Sequence, residues 1–253
     1  MLRLAMMAVA TVIMFPLYAA AQGIARLTGL PLHHPIQVSW ARLALFACGL
    51  RFRQVGRRMP HGGALVANHA SWLDIFALLA PGRVIFLAKS EVRHWPVIGL
   101  MAAVAGTMFI ERKTTAAKRQ QEEMRARIAH GQLLCFFPEG TSTDGLRVLP
   151  FKSTLFAALH SPELRDNVWV QPATILYEAP RGRPRNLYGW WGTMPFGRHV
   201  WDIVTSSFGG RVTVIFHPPV RAADFADRKA LAKRCGDAVA SGMAEARARA
   251  RVH

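Results

Sequence analysis

The sequence predicts an α/β fold that is preceded by an N-terminal helical segment associated with a membrane. Two observations lead to this prediction. Short apolar runs typical of buried strands, at residues 64–67, 84–88 and 133–137, alternate with segments of helical spacing. Residues 4–21 contain no charged side chain, although the chain as a whole is strongly basic.

The charge balance predicts an anionic partner. The chain has 32 Lys and Arg against 15 Asp and Glu, a formal net charge of +17, so nucleic acid, an anionic lipid surface and an acidic protein all qualify. Hydrophobic residues make up 51% of the chain and its mean hydropathy is +0.16, which favours a membrane over nucleic acid. We therefore expect membrane association and no nucleic-acid partner.

The cysteines indicate neither a disulfide framework nor a zinc site. Cys48, Cys135 and Cys235 are an odd number at wide spacing. We expect a reducing compartment and no bound metal. Cys135 lies in an apolar run and is interpreted as a buried structural thiol.

The first apolar segment, residues 4–21, approaches the length of about 20 residues that crosses a bilayer as a helix. Pro16 within it also allows a re-entrant or interfacial helix. Residues 18–21, Tyr-Ala-Ala-Ala, resemble a cleavage site after a short apolar region, so a secretory signal peptide is a competing interpretation.

A second apolar stretch, residues 36–50, carries Arg42 as its one charge and predicts a helix that lies along the membrane or dips into it. A cationic cluster follows at once, each charge being worth about 1 kcal/mol against anionic headgroups. By the positive-inside tendency, the domain after this cluster should face the cytoplasm at the inner membrane. The cluster consists of Arg51, Arg53, Arg57 and Arg58.

Four short blocks follow in the order Asn68-His-Ala-Ser-Trp-Leu-Asp74, Gly106-Thr-Met-Phe-Ile-Glu-Arg112, Phe137-Pro-Glu-Gly-Thr-Ser142 and Val170-Gln-Pro-Ala-Thr-Ile175. A His followed five residues later by Asp is weak evidence in a chain with ten His. Together, however, the blocks resemble the glycerolipid (1-acyl-sn-glycerol-3-phosphate) acyltransferase family, of the bacterial lysophosphatidic acid acyltransferase type. The resemblance implies an α/β fold with a mixed central sheet flanked by helices, with the blocks at strand ends. An acyltransferase catalytic domain would occupy residues 59–253, behind membrane-associating helices at residues 1–58.

His69 and Asp74 are the predicted catalytic pair. Within one helix their separation would set them about 140° apart, but a strand ends near Asn68 and a helix begins near Trp72, so they can meet in the turn between. Asp74 would fix the tautomer of His69 and leave the other ring nitrogen to take a proton from a substrate hydroxyl. We assign Ser71 to packing or capping, because this chemistry needs no serine nucleophile. The competing interpretation is a hydrogen-bonded histidine at a helix start.

The second and third blocks are expected to hold the acceptor headgroup. The resemblance implies that Arg112 grips a phosphate, which suits a planar guanidinium that engages two oxygens; an ordinary surface arginine is the alternative. Glu139 would orient Arg112 or a substrate hydroxyl, unless it is only a turn glutamate. Gly140 permits close backbone approach and Thr141 adds a hydroxyl donor, a composition suited to binding an anionic group.

Ser142 occupies a position at which many relatives carry a basic residue, so Arg147 or Lys152 is expected to supply that charge. The fourth block predicts a core strand that shapes the site, and the family suggests that it contributes to acyl-donor binding. Residues 188–201 are rich in aromatic side chains and fit an acyl-channel lip, a membrane-interface belt or a lid packed on the core. Residues 227–251 predict a surface helix.

The predicted reaction moves a fatty acyl group from acyl-carrier protein or coenzyme A to the free hydroxyl of 1-acyl-sn-glycerol 3-phosphate, giving phosphatidic acid in phospholipid biosynthesis. No metal or cofactor is expected, because the thioester supplies the driving force. The first alternative acceptor is a lyso-ornithine lipid or another lysolipid, since residues 142–153 and 191–201 resemble bacterial relatives among which both acceptors occur. Two further alternatives are a thioesterase or lipid hydrolase that activates water, and a non-enzymatic basic protein that binds membranes.

Overall fold

The computed structural model describes residues 2–30, 32–95, 98–111, 114–206 and 208–250 of the chain. A single sheet runs through this part of the chain. Its strands are β1 (Leu50–Val55), β2 (Gly63–Ala67), β3 (Ile85–Lys89), β4 (Met108–Ile110), β5 (Leu133–Phe136), β6 (Trp169–Glu178), β7 (Gly210–Phe216) and β8 (Val220–Arg221).

The sheet is mixed and has the strand order β1-β7-β6-β2-β5-β3-β4, with β8 paired to β6. Strands β2, β3, β4, β5 and β6 are parallel, whereas β7 is antiparallel to β6 and parallel to β1. Parallel strands end at the same edge of a sheet, so Asn68 after β2 and Phe137 after β5 emerge side by side. The prediction of an α/β fold with a mixed central sheet is confirmed.

Helices cover both faces of the sheet, which is why its central strands are continuous apolar runs. Leu65 and Ala67 of β2 belong to one core, which includes residues of the second, third and seventh helices. Ala64 and Val66 belong to the other core, which includes residues of the fifth, sixth and eighth helices. The helices are α1 (Leu2–Thr28), α2 (His33–Ala47), α3 (Leu73–Leu79), α4 (Ile98–Val104), α5 (Thr114–Ala129), α6 (Phe156–Leu159), α7 (Phe196–Ser206) and α8 (Arg228–Ala250), with 3₁₀ helices at Ser90–His94 and Ala222–Asp224.

Among the described residues, α1 is the one helix that is long and apolar enough to cross a membrane. Pro16 lies inside α1 without ending it. The helix packs along α2 and leaves most of its side chains exposed. A signal sequence meets the same criteria of length and composition, so the spanning and the cleaved interpretations of this segment both stay predictions.

The second helix was predicted at residues 36–50, and its predicted C-terminal end lies beyond the end of the helix in the structure. In the structure α2 ends at Ala47, and Leu50 already begins β1. Gly49 has a φ of +74°, the left-handed conformation in which glycine commonly terminates a helix. Because β1 pairs with β7, the sheet includes residues of the predicted N-terminal segment, and the division of the chain at residue 58 stays a prediction.

The C-terminal helix is more than a surface helix. Leu231, Cys235 and Val239 on one face of α8 are fully buried, and the Thr174 hydroxyl of β6 donates to the Val239 carbonyl (2.9 Å). None of the three cysteines forms a disulfide and all three are buried, as predicted for Cys135. The face of α8 that holds Cys235 therefore completes one of the two cores.

Gln171 holds together three segments that are distant in sequence. Its side-chain carbonyl accepts the Met59 N–H (2.7 Å), and its amide donates to the carbonyls of Arg57 (2.9 Å) and His217 (3.0 Å). We expect Gln171→Leu to lower the free energy of unfolding by about 2–4 kcal/mol, because buried polar groups lose their partners. Urea denaturation of the detergent-solubilised protein measures this. Gln54→Leu on exposed β1 is the matched control, and equal losses in both variants would contradict the prediction.

Candidate active site

The turn between β2 and α3 brings His69 and Asp74 into contact. The Nδ1 atom of His69 lies 2.7 Å from Oδ2 of Asp74, whose carboxylate is completely buried. The same oxygen accepts the backbone N–H groups of Ala70 (2.7 Å) and Ser71 (3.0 Å). One buried carboxylate thus shapes the turn and orients the imidazole, and the Nδ1–H that it requires leaves Nε2 as the unprotonated ring nitrogen.

Tyr177 is the fourth donor to Asp74. Its hydroxyl lies 2.8 Å from Oδ1, at the far side of the carboxylate from His69. Burial, and then the charge of Asp74, hold the pKa of Tyr177 well above its ordinary value, so the phenol stays protonated and donates. Sequence analysis assigned no role to this residue, and the one signal that could have found it is a tyrosine two positions beyond the fourth block in an apolar strand.

The ring of His69 is held in place and partly open to solvent. It stacks on Phe137 with ring centroids 4.2 Å apart and planes 13° apart, and Phe86 stacks behind Phe137. About a quarter of the His69 side chain, 23%, is exposed. No hydrogen bond to Nε2 is present within the described part of the chain, so this nitrogen is available to a substrate hydroxyl.

The third block and Thr143, the residue that follows it, fix the backbone of His69 from both sides. Oε1 of Glu139 accepts the His69 N–H (3.1 Å), and Thr143 donates its N–H (2.9 Å) and its hydroxyl (3.2 Å) to the His69 carbonyl. The sequence predicted that Glu139 orients Arg112 or a substrate hydroxyl. The structure instead places the Glu139 side chain, only 1% exposed, against the backbone of the candidate base.

Burial raises the pKa of Glu139 to about 8, although hydrogen bonds from the backbone N–H groups of His69 and Leu149 oppose the shift. The carboxyl is therefore mostly protonated at neutral pH. A neutral acid accepts the His69 N–H through one oxygen without placing a second charge beside Asp74.

Asn68 ties the first block to the fourth. Its side-chain oxygen accepts the Ile175 N–H (2.8 Å) and its amide donates to the Ile175 carbonyl (3.0 Å). The pair continues the ladder between β2 and β6 through a side chain, beyond the last backbone pair at Ala67 and Ala173. The fourth block thus supports the site structurally, as a core strand.

The predicted headgroup residues lie in the loop after β5. Gly140 has a φ of +72°, and a Cβ atom built on it would lie 3.0 Å from Nζ of Lys152. Thr141 is exposed in the same loop. Of the two cations predicted to replace the usual basic residue, Lys152 lies beside Gly140, whereas Arg147 is exposed and 3.8 Å from its own partner, Asp144.

Arg112, the predicted phosphate ligand, lies outside the described residues. The strand that leads to it, β4, ends at Ile110 on the same edge of the sheet as β3 and β5. The assignment of Arg112 as a phosphate ligand therefore stays a prediction from the second block.

The aromatic segment packs directly behind the first block. Trp190 donates its backbone N–H to the Ala70 carbonyl (2.8 Å), and Trp72 donates its indole N–H to Nδ1 of His199 (3.1 Å). Burial lowers the pKa of His199, which keeps its ring neutral as an acceptor. This part of the segment is packed on the core, while Trp201 on α7 is exposed, as an interface belt would require.

A comparison with protein families matches residues 51–176 to the model described as Acyltransferase. The match contains all four blocks. Among curated proteins, the chain is 48% identical to the lyso-ornithine lipid O-acyltransferase of Rhodobacter capsulatus, over 81% of this chain and 74% of that protein. It is 40% identical to the protein of the same name from Brucella abortus, over 73% of each chain.

A second kind of relative and a solved structure are also similar. The 1-acyl-sn-glycerol-3-phosphate acyltransferase of Neisseria meningitidis is 39% identical over 48% of each chain. The crystal structure of the 1-acyl-sn-glycerophosphate acyltransferase from Thermotoga maritima superposes with a TM-score of 0.71, covering 98% of this chain and 94% of that one at 21% identity. At that identity the superposition supports the fold.

The raised pKa of Glu139 predicts a pH-dependent stability. Its folded-state pKa of about 8 exceeds the ordinary value of 4.5, so the folded state binds more protons between these two pH values. Stability is therefore greatest below pH 4.5 for this group and falls as the pH rises to 8, by at most about 1.4 kcal/mol per pH unit. We expect Glu139→Gln to remove this slope in urea unfolding at pH 5.5, 6.5 and 7.5. Glu122→Gln, on the exposed side of α5, should keep the wild-type slope, and an unchanged slope in Glu139→Gln would refute the assignment.

Proposed function

The chain belongs to the acyltransferase family, and on that basis we propose that it esterifies the free hydroxyl of a lysolipid with a fatty acyl group taken from a thioester. The observation that supports this most directly is the His69–Asp74 pair, 2.7 Å apart, in which the His69 side chain is partly exposed to solvent. An imidazole oriented by a buried carboxylate is a general base.

In the proposed mechanism, Nε2 of His69 takes the proton of the acceptor hydroxyl as its oxygen attacks the thioester carbonyl carbon. The carbon–sulfur bond of the tetrahedral intermediate then breaks, and the imidazolium returns its proton to the departing thiolate. Asp74 stabilises the imidazolium between these steps. Ser71, whose side chain is fully buried, contributes a backbone N–H to Asp74 and no nucleophile.

The headgroup of the acceptor is proposed to lie over the loop after β5. Gly140 permits close approach of backbone, Thr141 offers a hydroxyl, and the Lys152 ammonium beside Gly140 supplies a positive charge. Arg112 is proposed, from the second block, to complete the anion site. Glu139 acts in this scheme through the backbone of His69 as a positioning residue.

Two acceptors fit the family, and they differ in the anion they present. Relatives that align over about three quarters of their length are named lyso-ornithine lipid O-acyltransferases, so we take lyso-ornithine lipid, which carries a carboxylate, as the first acceptor to test. Relatives named 1-acyl-sn-glycerol-3-phosphate acyltransferases align over a shorter stretch and support the phosphate acceptor that the four blocks predict.

We propose acyl-carrier protein or coenzyme A as the donor, because the net charge of +17 suits either acidic molecule. We further propose that α1 and α2 attach the protein to the inner membrane, with the catalytic domain on the cytoplasmic side where such thioesters occur. No metal or cofactor enters the proposed steps.

The first test is acyl transfer by the detergent-solubilised protein from a labelled thioester to lyso-ornithine lipid and, separately, to 1-acyl-sn-glycerol 3-phosphate. We expect product on at least one acceptor, and we expect His69→Ala to lower kcat by about 10²–10⁴-fold, the usual contribution of a general base. His94→Ala, an exposed histidine, is the matched control. Activity that survives in His69→Ala, or free fatty acid formed equally without an acceptor, would reject the transferase mechanism.

Tyr177→Phe tests the support of Asp74. Loss of one buried hydrogen bond leaves more negative charge on the carboxylate, which stabilises the protonated imidazole. We therefore expect the acidic limb of the pH profile of kcat/KM to move to higher pH, with a fall of about 3–30-fold at neutral pH, the equivalent of about 0.6–2 kcal/mol.

Tyr188→Phe is the control for Tyr177→Phe, since its ring packs 5.8 Å from that of Tyr177 in the same core and it too loses one buried hydroxyl. A purely structural role of Tyr177 would lower activity in both variants without moving the limb.

A further inference from the structure

A cavity of about 700 Å³ lies at the edge of the sheet opposite the candidate active site. Its walls are the residues that precede or begin β2, β3 and β5, together with one side of α2. The cavity therefore separates the sheet from the helix that follows α1 along the chain. Neither the four blocks nor the proposed reaction uses it.

Three arginines line this cavity: Arg42 of α2, Arg58 before β2 and Arg83 before β3. Arg42 donates to the Ala80 carbonyl (3.0 Å) and Arg58 to the Arg83 carbonyl (2.8 Å). Within the described ranges, none of the three forms an ion pair, and Nε of Arg83 is buried without a hydrogen-bond partner. Nη1 of Arg83 also lies 3.3 Å from Nε2 of His34. Three guanidinium groups thus line one cavity, and the carbonyls and the imidazole beside them satisfy only part of their donors.

Among the described residues that line the cavity beside these arginines, none is acidic. Burial lowers the pKa of Arg58 and of Arg83, and burial followed by the charges of Arg83, His33 and Arg58 lowers the pKa of His34 to about 4. Arg127, whose charge also acts on Arg83, is already paired with Glu123 (2.7 Å).

Tyr18 of α1 also interacts with Arg83, but a phenol supplies no negative charge at physiological pH. Partly buried charges of one sign are costly unless an opposite charge joins them.

We propose that this cavity binds the phosphate group of an anionic membrane phospholipid. Guanidinium groups match phosphate oxygens in pairs, and three of them around one cavity suit a single tetrahedral anion. The site lies against α2 and its apolar side chains Pro35 and Val38, next to the helix that is apolar enough to cross a membrane. A headgroup reaches such a place from the bilayer, while its glycerol and first methylenes cover the apolar wall.

The ligand is distinct from the acyl acceptor, because the acceptor hydroxyl must reach His69 at the other edge of the sheet. Its function would be to join the membrane helices to the catalytic domain. A zwitterionic phosphatidylcholine also carries a phosphate, but its quaternary ammonium adds a positive charge to an already cationic site. The proposal therefore predicts selectivity for anionic lipid.

The test is thermal unfolding of the full-length, detergent-solubilised His69→Ala protein without a thioester donor, so that no acyl transfer takes place. The protein is titrated with dihexanoylphosphatidylglycerol, dihexanoylphosphatidylcholine or inorganic phosphate. A ligand that binds the folded state raises Tm in a saturable way. We expect saturable stabilisation by the phosphatidylglycerol alone. We expect Arg58→Gln and Arg83→Gln, each added to this background, to weaken its apparent affinity at least about 10-fold, as loss of a charge-assisted hydrogen bond predicts.

Arg57→Gln is the matched control, since it removes the same charge from the neighbouring position but from an exposed side chain that does not line the cavity. Equal weakening in Arg57→Gln, or an unchanged affinity in Arg58→Gln, would overturn the site. Equal stabilisation by inorganic phosphate, lost in Arg58→Gln, would overturn the lipid and assign a soluble phosphate. Should Arg83→Gln fail to fold, Arg58→Gln with a wild-type circular dichroism spectrum decides.

Discussion

The buried carboxylate of Asp74 is the constraint on which the candidate site depends. Fully buried charge is unfavourable unless hydrogen bonds replace water, and Asp74 receives four: from the His69 ring, from two backbone N–H groups of the turn and from the Tyr177 hydroxyl. These four donors come from the turn between β2 and α3 and from β6. The buried carboxylate is therefore fully hydrogen-bonded only when this turn is formed and β6 is in register. The geometry of the base is therefore coupled to the folding of the central sheet.

The same coupling explains why the blocks are distant in sequence and still act together. Asn68 extends the ladder to β6 by hydrogen-bonding both backbone groups of Ile175. Glu139 accepts the backbone N–H of His69, and Thr143 donates to its carbonyl. The third block and the residue after it therefore hold the backbone of His69 in place. A neutral Glu139, with its pKa raised to about 8 by burial, satisfies the His69 N–H without competing electrostatically with Asp74 for the imidazolium.

The sequence was sufficient for the features that are local. Apolar runs located β2, β3 and β5, and the spacing of His69 and Asp74 placed them in a strand-to-helix turn. The sequence was insufficient where the role of a side chain depends on a hydrogen-bond partner about 70 or more positions away, because the periodicity of a sequence contains no information on such contacts. For this reason the sequence predicted no role for Tyr177, and it predicted that Glu139 orients Arg112 or a substrate hydroxyl. Gly49 ended α2 earlier than hydropathy alone indicated, since hydropathy does not report backbone conformation.

Arg58 is a second case in which the sequence could not predict the surroundings of a side chain. In the sequence it is one of four similar arginines after an apolar stretch, and all four were interpreted as a surface cluster facing lipid headgroups. In the structure Arg51, Arg53 and Arg57 are exposed. Arg58 is half-buried and lines the cavity beside Arg83. An exposed cation is solvated whether or not a lipid is present, so its contribution is small and screened by salt. A half-buried arginine loses part of its hydration free energy on folding, and a bound anion compensates for that loss. Arg58 can therefore contribute to selectivity for an anionic lipid, whereas its exposed neighbours cannot.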